Sequence, residues 1–332
     1  NMRVFITGAE GFIGSHLVDS LVKKKINVRA FILYNSFNNW GWLNSYSSNN
    51  SKYLQICPGN LLSYKSVYNA MKGCTHIVHL GALIAIPYSY KSAHEYINTN
   101  VEGTLNVLEA AKELKVKKII HTSTSEVYGT AKKIPILESH QISPQSPYAA
   151  SKAAADNIVN SYYKSFNLPI VILRPFNNFG PRQSLRAIIP TILTQVIKNK
   201  NFIKLGNINS TRDFTFVDDT AEAFIKALKN NKCIGQTLNI GNNFEISIKN
   251  IVNEISKISG EKIKIKLDKK RLRPKKSEVD RLFASNKKAK KILKWEPKYN
   301  GLKGFKLALK ETYHWYKKRE NFQHFKTEIY NQ

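Results

Sequence analysis

Thr122-Ser123-Thr124-Ser125-Glu126 and Tyr148-Ala149-Ala150-Ser151-Lys152 carry the residue types from which a proton-handling site can be built: hydroxyls, a carboxylate, a phenol and an ammonium. Tyr148 and Lys152 stand at i and i+4, so on a helix they share one face and the ammonium can lie beneath the phenol. A positive neighbour lowers a phenol pKa of about 10 towards the working range of a general base. The same spacing also occurs on solvated surface helices. The elements around these residues must decide between the two.

Arg3 to Thr7 is a short apolar run rich in β-branched residues and ended by glycine, which predicts a buried strand. Gly8-Ala9-Glu10-Gly11-Phe12-Ile13-Gly14 follows, then an amphipathic stretch to about Lys25. Glycines at such a turn let the backbone approach a pyrophosphate, while the helix N-terminus supplies N–H donors and a positive dipole end. Set between a leading strand and a helix, the pattern predicts a dinucleotide-binding turn. Val28 to Leu33 reads as the second strand. An acid at its end, about 20 residues past the glycines, would meet the adenosine ribose. Ile32, Leu33, Tyr34 and Asn35 stand there instead, and no arginine follows to receive a 2′-phosphate, so NAD and NADP both stay open. The loop Asn35 to Asn50 holds Trp40 and Trp42, which either cover an adenine or a sugar or pack on the body.

Tyr53 to Cys57 and His76 to Leu80 read as the third and fourth strands, ending in Gly59-Asn60-Leu61 and Gly81-Ala82. Small residues after strand ends are where an open parallel sheet places its ligand crevice. His76 and His79 fit buried, hydrogen-bonded imidazoles better than ligands. A helix from about Ala93 to Leu114 carries Asn98, Asn100 and Gly103. Lys117 to His121 is the fifth strand and delivers Thr122 to Glu126 at its carboxyl end, where this architecture puts chemistry.

At 332 residues and 42% hydrophobic, the chain can bury a large core. It has no apolar run of about 18 residues, so no membrane span is expected. It opens almost at once on a strand, leaving no room for a signal peptide. Three cysteines (Cys57, Cys74, Cys233) without CxxC spacing predict neither a disulfide framework nor a metal site, and point to a reducing cytoplasm. The net charge of +29 suggests a polyanionic partner. However, the lysines are spread along the chain, densest at 23–25, 262–276 and 287–294, without any RRM, helix-turn-helix or zinc-finger pattern. Nucleic-acid binding is therefore not expected. A lysine-rich proteome or an anionic small substrate accounts for the charge.

Beyond the sixth strand, Pro169 to Arg174, the pattern is more broken. Helices are expected over Ala187 to Lys198, Asp218 to Lys229, Ser247 to Ile258 (with a serine N-cap), Asn286 to Leu293 and Gly301 to Lys318. Strands are expected at Phe202 to Leu205, Thr237 to Ile240 and Lys262 to Leu267. The fold class is α/β: a Rossmann-type doubly wound parallel sheet with a smaller mixed α/β substrate lobe. Residues 2–175 form the dinucleotide-binding domain, with about 210–242 returning to it. Residues 176–320 form most of an interleaved substrate lobe, and 321–332 a polar tail that can fray.

With these pieces in place the chain resembles the extended short-chain dehydrogenase/reductases, in their nucleotide-sugar-modifying branch. The likeness runs from Gly8 to about Tyr299. It is carried by Gly8/Gly11/Gly14, Thr124-Ser125-Glu126, Tyr148/Lys152, Arg174-Pro175-Phe176-Asn177-Asn178, Thr211-Arg212-Asp213-Phe214 and Arg273-Pro274. Within that branch it is most similar to the 4,6-dehydratases of the legionaminic acid pathway, which act on GDP-N-acetylglucosamine. That closer match rests on Leu33 to Phe37 with Trp40-Gly41-Trp42, Thr122 to Thr130, Asn177 to Arg186, Leu205 to Asn207, and Glu278 to Leu282.

The resemblance implies a catalytic set of Thr124, Ser125, Glu126, Tyr148 and Lys152. Tyr148 would be the base for the sugar 4-hydroxyl, Lys152 would lower its pKa and hold the nicotinamide ribose, and Thr124 would bond the same hydroxyl. NAD or NADP would lie along Gly8, Gly11, Phe12, Ile13, Gly14, Asn60, Leu61, Leu80, Gly81, Ala82, Asn100, Thr122, Tyr148 and Lys152. Asn177, Arg186, Arg212 and Arg273 would hold the sugar nucleotide, the arginines near its diphosphate, as bidentate guanidinium groups suit. A homodimer through the helices at Ala93 to Leu114 and Tyr148 to Phe166 is a further expectation. Two departures stand out. Glucose-type 4,6-dehydratases have an aspartate where this chain has Ser125, and Thr-Ser-Glu also occurs in UDP-glucuronate decarboxylases. Asn60 replaces an aspartate that often touches the adenine. The reaction is read as 4,6-dehydration, with 4-epimerisation or decarboxylation as alternatives and a non-catalytic dinucleotide-sensing or nucleic-acid-binding protein as a remote one.

Overall fold

Val4, Phe5 and Ile6 have no access to solvent, and the sheet grows outwards from them. In the computed structural model, which describes residues 2–47, 51–198, 202–327 and 329, the strands follow in chain order. They are β1 (Arg3–Thr7), β2 (Asn27–Leu33), β3 (Leu54–Gly59), β4 (His76–His79), β5 (Lys118–Thr122), β6 (Ile170–Pro175), β7 (Asn177–Phe179), β8 (Phe202–Leu205), β9 (Thr211–Phe216), β10 (Thr237–Ile240), β11 (Glu245–Ser247), β12 (Lys264–Leu267) and β13 (Arg281–Leu282). The end of the loop Asn35 to Asn50 and part of the 321–332 tail lie outside the described residues.

Seven strands form one sheet in the order β10-β6-β5-β4-β1-β2-β3, and every neighbouring pair is parallel. This is the expected doubly wound sheet. Strand order reverses between β1 and β4, which opens a crevice at their carboxyl ends. A parallel sheet is buried on both faces, and the alternating residues divide accordingly. Ile6, Ile120 and Val171 pack with Leu17, Val18 and Phe224 on one face. Phe5, Ile119 and Ile172 pack with Val107, Leu108 and Val159 on the other. Lys118 is wholly buried beneath the first layer. Its ammonium donates to the carbonyls of Ala227, Leu228 and Asn230, each at 3.0 Å, closing the C-terminal end of the helix Val217–Lys229. Those carbonyls have no partner within the helix, so a cation there satisfies both hydrogen bonding and the dipole.

The remaining strands build a second layer above the carboxyl edge. β9 pairs antiparallel with β11 and parallel with β7 and β13, while β8 and β12 form a separate parallel pair. Their core joins Phe214, Ile251, Val252, Phe305 and Leu309. Thr211–Phe216 was not expected as a strand, because Thr-Arg-Asp lacks an apolar alternation. Its Asp213 is fully buried and takes the backbone N–H groups of Asn242 (2.7 Å) and Ala284 (3.1 Å), stapling β9 to the chain that follows β10 and β13.

The long helix expected over Ala93 to Leu114 is continuous but passes through a π turn. It runs as Ala93–Ile97, a π turn at Asn98–Glu102, then Gly103–Glu113. No described helix is long and apolar enough to cross a membrane.

Candidate active site

The glycine turn is built for close approach. Gly8 has φ +64° and a Cβ there would come within 2.9 Å of Gly81, while one on Gly14 would come within 2.2 Å of the Gly8 carbonyl. Thr7 links this turn to the end of β4: its Oγ1 accepts from the N–H of Leu80 (3.1 Å) and Gly81 (2.9 Å). Phe12 and Ile13 begin the first helix, whose N-terminal N–H groups face the crevice mouth. Gly81 and Ala82 follow β4, Asn60 and Leu61 follow β3, and Thr122 ends β5, so these expected cofactor residues gather at one edge of the sheet. Thr122 Oγ1 is buried without a protein partner, a hydroxyl left for a bound group. The tight glycine cradle and this unpaired hydroxyl fit a nicotinamide dinucleotide.

Asn100 does not present its amide to that crevice. Its Oδ1 accepts from Leu83 N (2.8 Å), and its Nδ2 donates to Leu83 O (2.9 Å) and Ser151 Oγ (3.0 Å). Ser151 in turn donates to Tyr148 O at 2.7 Å. Asn100 sits in the π turn, a local insertion common at functional sites. There it ties the loop after β4 to the helix Pro147–Phe166 that carries the phenol. Asn60 Oδ1 is likewise taken, by Leu62 N at 2.9 Å.

Tyr148 and Lys152 lie buried on one face of that helix, N-capped by Ser146 with Pro147 at its first position. The Lys152 ammonium donates to the Thr122 carbonyl at 2.7 Å, which pins the helix to the end of β5. Thr124 forms the N-cap of the short turn Ser125–Tyr128, and its Oγ1 accepts from Glu126 N at 3.2 Å. The Thr124 side chain also favours ionisation of the Tyr148 phenol. Glu126 is 9% exposed, and its charge is felt both by Tyr148 and by Arg212.

The electrostatics differ from the sequence expectation. Burial pushes the Tyr148 phenol above its ordinary value; the Thr124 side chain opposes this and the Glu126 charge adds to it. Burial also brings the Lys152 ammonium down to about 8. The chain alone therefore holds the phenol protonated, and a lowered phenol requires further positive charge nearby.

Lys152 gives a pH prediction. An unfolded lysine keeps its proton to about 10.4. Between about 8 and that value the unfolded chain binds more protons than the folded one, so stability gained from this group rises with pH. Lys152→Met removes the titration. Its stability relative to wild type is expected to fall by up to about 3 kcal/mol as pH rises from about 7 to about 10. Paired thermal melts across that range check this, and a constant difference would contradict it.

Sequence reasoning passed over the network under these residues. Asp156, one turn after Lys152, accepts from Ser123 Oγ (2.7 Å) and from Arg174 Nη2 (3.0 Å), and meets His121 Nε2 at 3.1 Å. Burial raises the Asp156 carboxyl, but the bonds and charges from His121, Arg174 and Ser123 outweigh it and hold the group low. The signal was available: a strand arginine buried at Arg174 requires a carboxylate, and Asp156 stands i+4 from Lys152.

Asn177, Arg186, Arg212 and Arg273 line one cavity of about 380 Å³, with Tyr90 and Glu278. Arg212 is buried, donating to Thr211 O at 2.9 Å and to Glu278 at 3.4 Å. Asn177 Oδ1 is buried without a protein partner. Tyr148 and Lys152 do not line this cavity, but the charge of the buried Glu126 acts on both Tyr148 and the cavity's Arg212. Trp42 packs edge-on to Trp315 and His324, so of the two readings for that tryptophan the structure shows packing on the body.

Residues 5–307 match the GDP-mannose 4,6 dehydratase family. Human dTDP-D-glucose 4,6-dehydratase is 32% identical over 336 residues, spanning 98% of this chain and 92% of the human protein. The Dictyostelium discoideum enzyme of the same name is 34% identical over 279 residues, 77% of this chain but 62% of that protein. Among solved structures, dTDP-glucose 4,6-dehydratase from Streptomyces venezuelae, crystallised with NAD, aligns with a TM-score of 0.86 at 26% identity, covering 98% of this chain and 99% of that one. UDP-glucuronic acid 4-epimerase from Bacillus cereus, with UDP-glucuronic acid and NAD, aligns with a TM-score of 0.85 at 29% identity over 95% and 98%.

Proposed function

Because the chain belongs to the GDP-mannose 4,6 dehydratase family of extended short-chain dehydrogenase/reductases, we propose that it is an NAD(P)-dependent nucleotide-sugar 4,6-dehydratase. The observation that carries this reading is Glu126, a buried carboxylate whose charge acts on both the Tyr148 phenol and Arg212 of the arginine-lined cavity. A 4-epimerase, which restores the same ring carbon, has little use for a carboxylate there.

Bound along the glycine turn and Thr122, the oxidised nicotinamide would supply positive charge and a reversible two-electron store that empties C4 and later refills C6. The chain's residues handle protons and position. Tyr148 takes the proton of the 4-hydroxyl, which Thr124 helps to orient. The ketone so formed at C4 acidifies the hydrogen on C5, and the Glu126 carboxylate removes it. The 6-hydroxyl departs as water, with the buried Ser125 hydroxyl as the route for its proton. Lys152 holds Thr122 and the cofactor ribose, and Arg186, Arg212 and Arg273 hold the diphosphate.

For the substrate we propose GDP-N-acetylglucosamine, on the sequence likeness carried by Leu33 to Phe37, Trp40 to Trp42 and Asn177 to Arg186. Ser125 favours a second reading, decarboxylation of a UDP-glucuronate-type sugar, since Thr-Ser-Glu occurs in those enzymes too. The test is direct: incubate the protein with GDP-N-acetylglucosamine, UDP-N-acetylglucosamine, dTDP-glucose and UDP-glucuronate and weigh the products. Loss of one water from the GDP sugar is the expected result. Loss of carbon dioxide, or an unchanged mass with inversion at C4, would replace it by the rival reaction.

The assembly fitting this reading is a homodimer through the helices ending at Glu113 and Phe166, where Ile97, Tyr163 and Phe166 are 47%, 37% and 50% exposed. The three cysteines are free, in keeping with a cytoplasmic setting.

A further inference from the structure

A dinucleotide-binding sheet ordinarily carries an acid at the end of its second strand, where it meets the 2′-hydroxyl of the adenosine ribose. Here residues 32–47 contain neither an acid nor a lysine or arginine. The structure brings a carboxylate to that place from the glycine turn itself. Glu10, between Gly8 and Gly11, extends its side chain to the end of β2, and its Oε1 accepts from the N–H of Leu33, the last residue of the strand, at 2.8 Å. Its Oε2 is buried and has no protein partner.

The loop beyond β2 fixes this arrangement. Trp42 N donates to Glu10 O at 3.1 Å. Gly41 lies so close that a Cβ there would come within 3.0 Å of Glu10 Cβ. Trp42 is in turn held by Trp315 and His324. Burial pushes the Glu10 carboxyl up, and the Leu33 N–H opposes it. An unpaired carboxylate oxygen is costly in such a place, and a hydroxyl donor relieves that cost.

We propose that Glu10 takes over the role of the missing strand-end acid: its Oε2 accepts the 2′-hydroxyl of the adenosine ribose, and its charge excludes a 2′-phosphate, so the protein selects NAD over NADP. The inference rests on a nicotinamide dinucleotide being the cofactor, and it resolves what the strand end left open. A neighbouring carboxylate repels phosphate, and no cation on residues 32–47 offsets it.

Calorimetric titration of the full chain with NAD, NADP and 2′-deoxy-NAD, without any sugar, tests it. Wild type is expected to bind NAD at least about ten-fold more tightly than either of the others, the scale of one charge-assisted hydrogen bond. Glu10→Gln keeps the shape and the acceptor for Leu33 but removes the charge. It is expected to bring the NAD-to-NADP affinity ratio down by about ten-fold or more, at an unchanged melting temperature. Equal wild-type affinity for NAD and NADP, or an unchanged ratio in the variant, would overturn the assignment of Glu10. If wild type bound none of the three, the cofactor reading itself would fall instead. The 2′-deoxy comparison uses wild type alone, so it stands even if the variant folds poorly.

Discussion

Tyr148→Phe is expected to lower kcat about 100- to 10,000-fold, the span that a positioned general acid–base group contributes. Nucleotide-sugar and dinucleotide binding should change little. The ring stays where it is, edge-on to Tyr96 at 6.3 Å and against Ile86, because those contacts involve carbon atoms alone. What is lost is the oxygen whose ionisation Thr124 favours and the Glu126 charge opposes. Burial already raises this phenol, so its removal deletes a costly polar group and the melting temperature should not fall. The measurement is steady-state turnover beside direct binding of cofactor and substrate. Wild-type turnover with a phenylalanine at this position would remove Tyr148 from the chemistry altogether.

The parallel sheet was legible because its strands are buried on both faces and so read as unbroken apolar runs punctuated by glycine. Arg3 to Thr7 and Lys117 to His121 needed no other signal. β9 was not legible, because Thr211, Arg212 and Asp213 belong to a strand whose polar groups are satisfied by partners far along the chain. Glu278, Asn242 and Ala284 serve there, and no local pattern announces them. The π turn at Asn98–Glu102 was hidden too: there Asn100 bonds back to Leu83 and across to Ser151, contacts that spacing cannot reveal.

The expected site residues met the structure in different ways. Tyr148 and Lys152 were visible as an i, i+4 pair, and Thr122 through Glu126 followed from their place at a strand's carboxyl end. Asn100 and Asn60 were expected beside the cofactor, yet the Asn100 amide and the Asn60 Oδ1 are engaged within the protein. Lys152 was expected to act on the phenol, but its shortest bond goes to the Thr122 carbonyl. Glu10 stood in the glycine turn with no role assigned to it. Only the fold puts its carboxylate beside Leu33, because the turn and the end of β2 are neighbours in space and not in sequence.

Glu126→Gln separates elimination from the oxidation that precedes it. Glutamine keeps the volume, but its amide cannot take a proton from C5. Arg212 loses one nearby negative charge and keeps Glu278 at 3.4 Å, so the cavity should hold its shape. Dehydration is expected to fall about 100- to 10,000-fold, while Tyr148, Thr124 and Lys152 remain able to serve C4. The sugar should then stop at the 4-keto stage with its 6-hydroxyl in place, up to one equivalent per site. Mass spectrometry would read this as the loss of two hydrogens instead of one water. In deuterium oxide, wild-type product should carry solvent deuterium at C5, and sugar recovered from the variant should not. If the variant eliminated water at the wild-type rate, the C5 proton would have to leave through another group. Ser125 and Thr124 stand beside it, but both are hydroxyls, far weaker bases than a carboxylate. A fast variant would take Glu126 out of the proton transfer at C5, while the loss of water would still stand as the reaction.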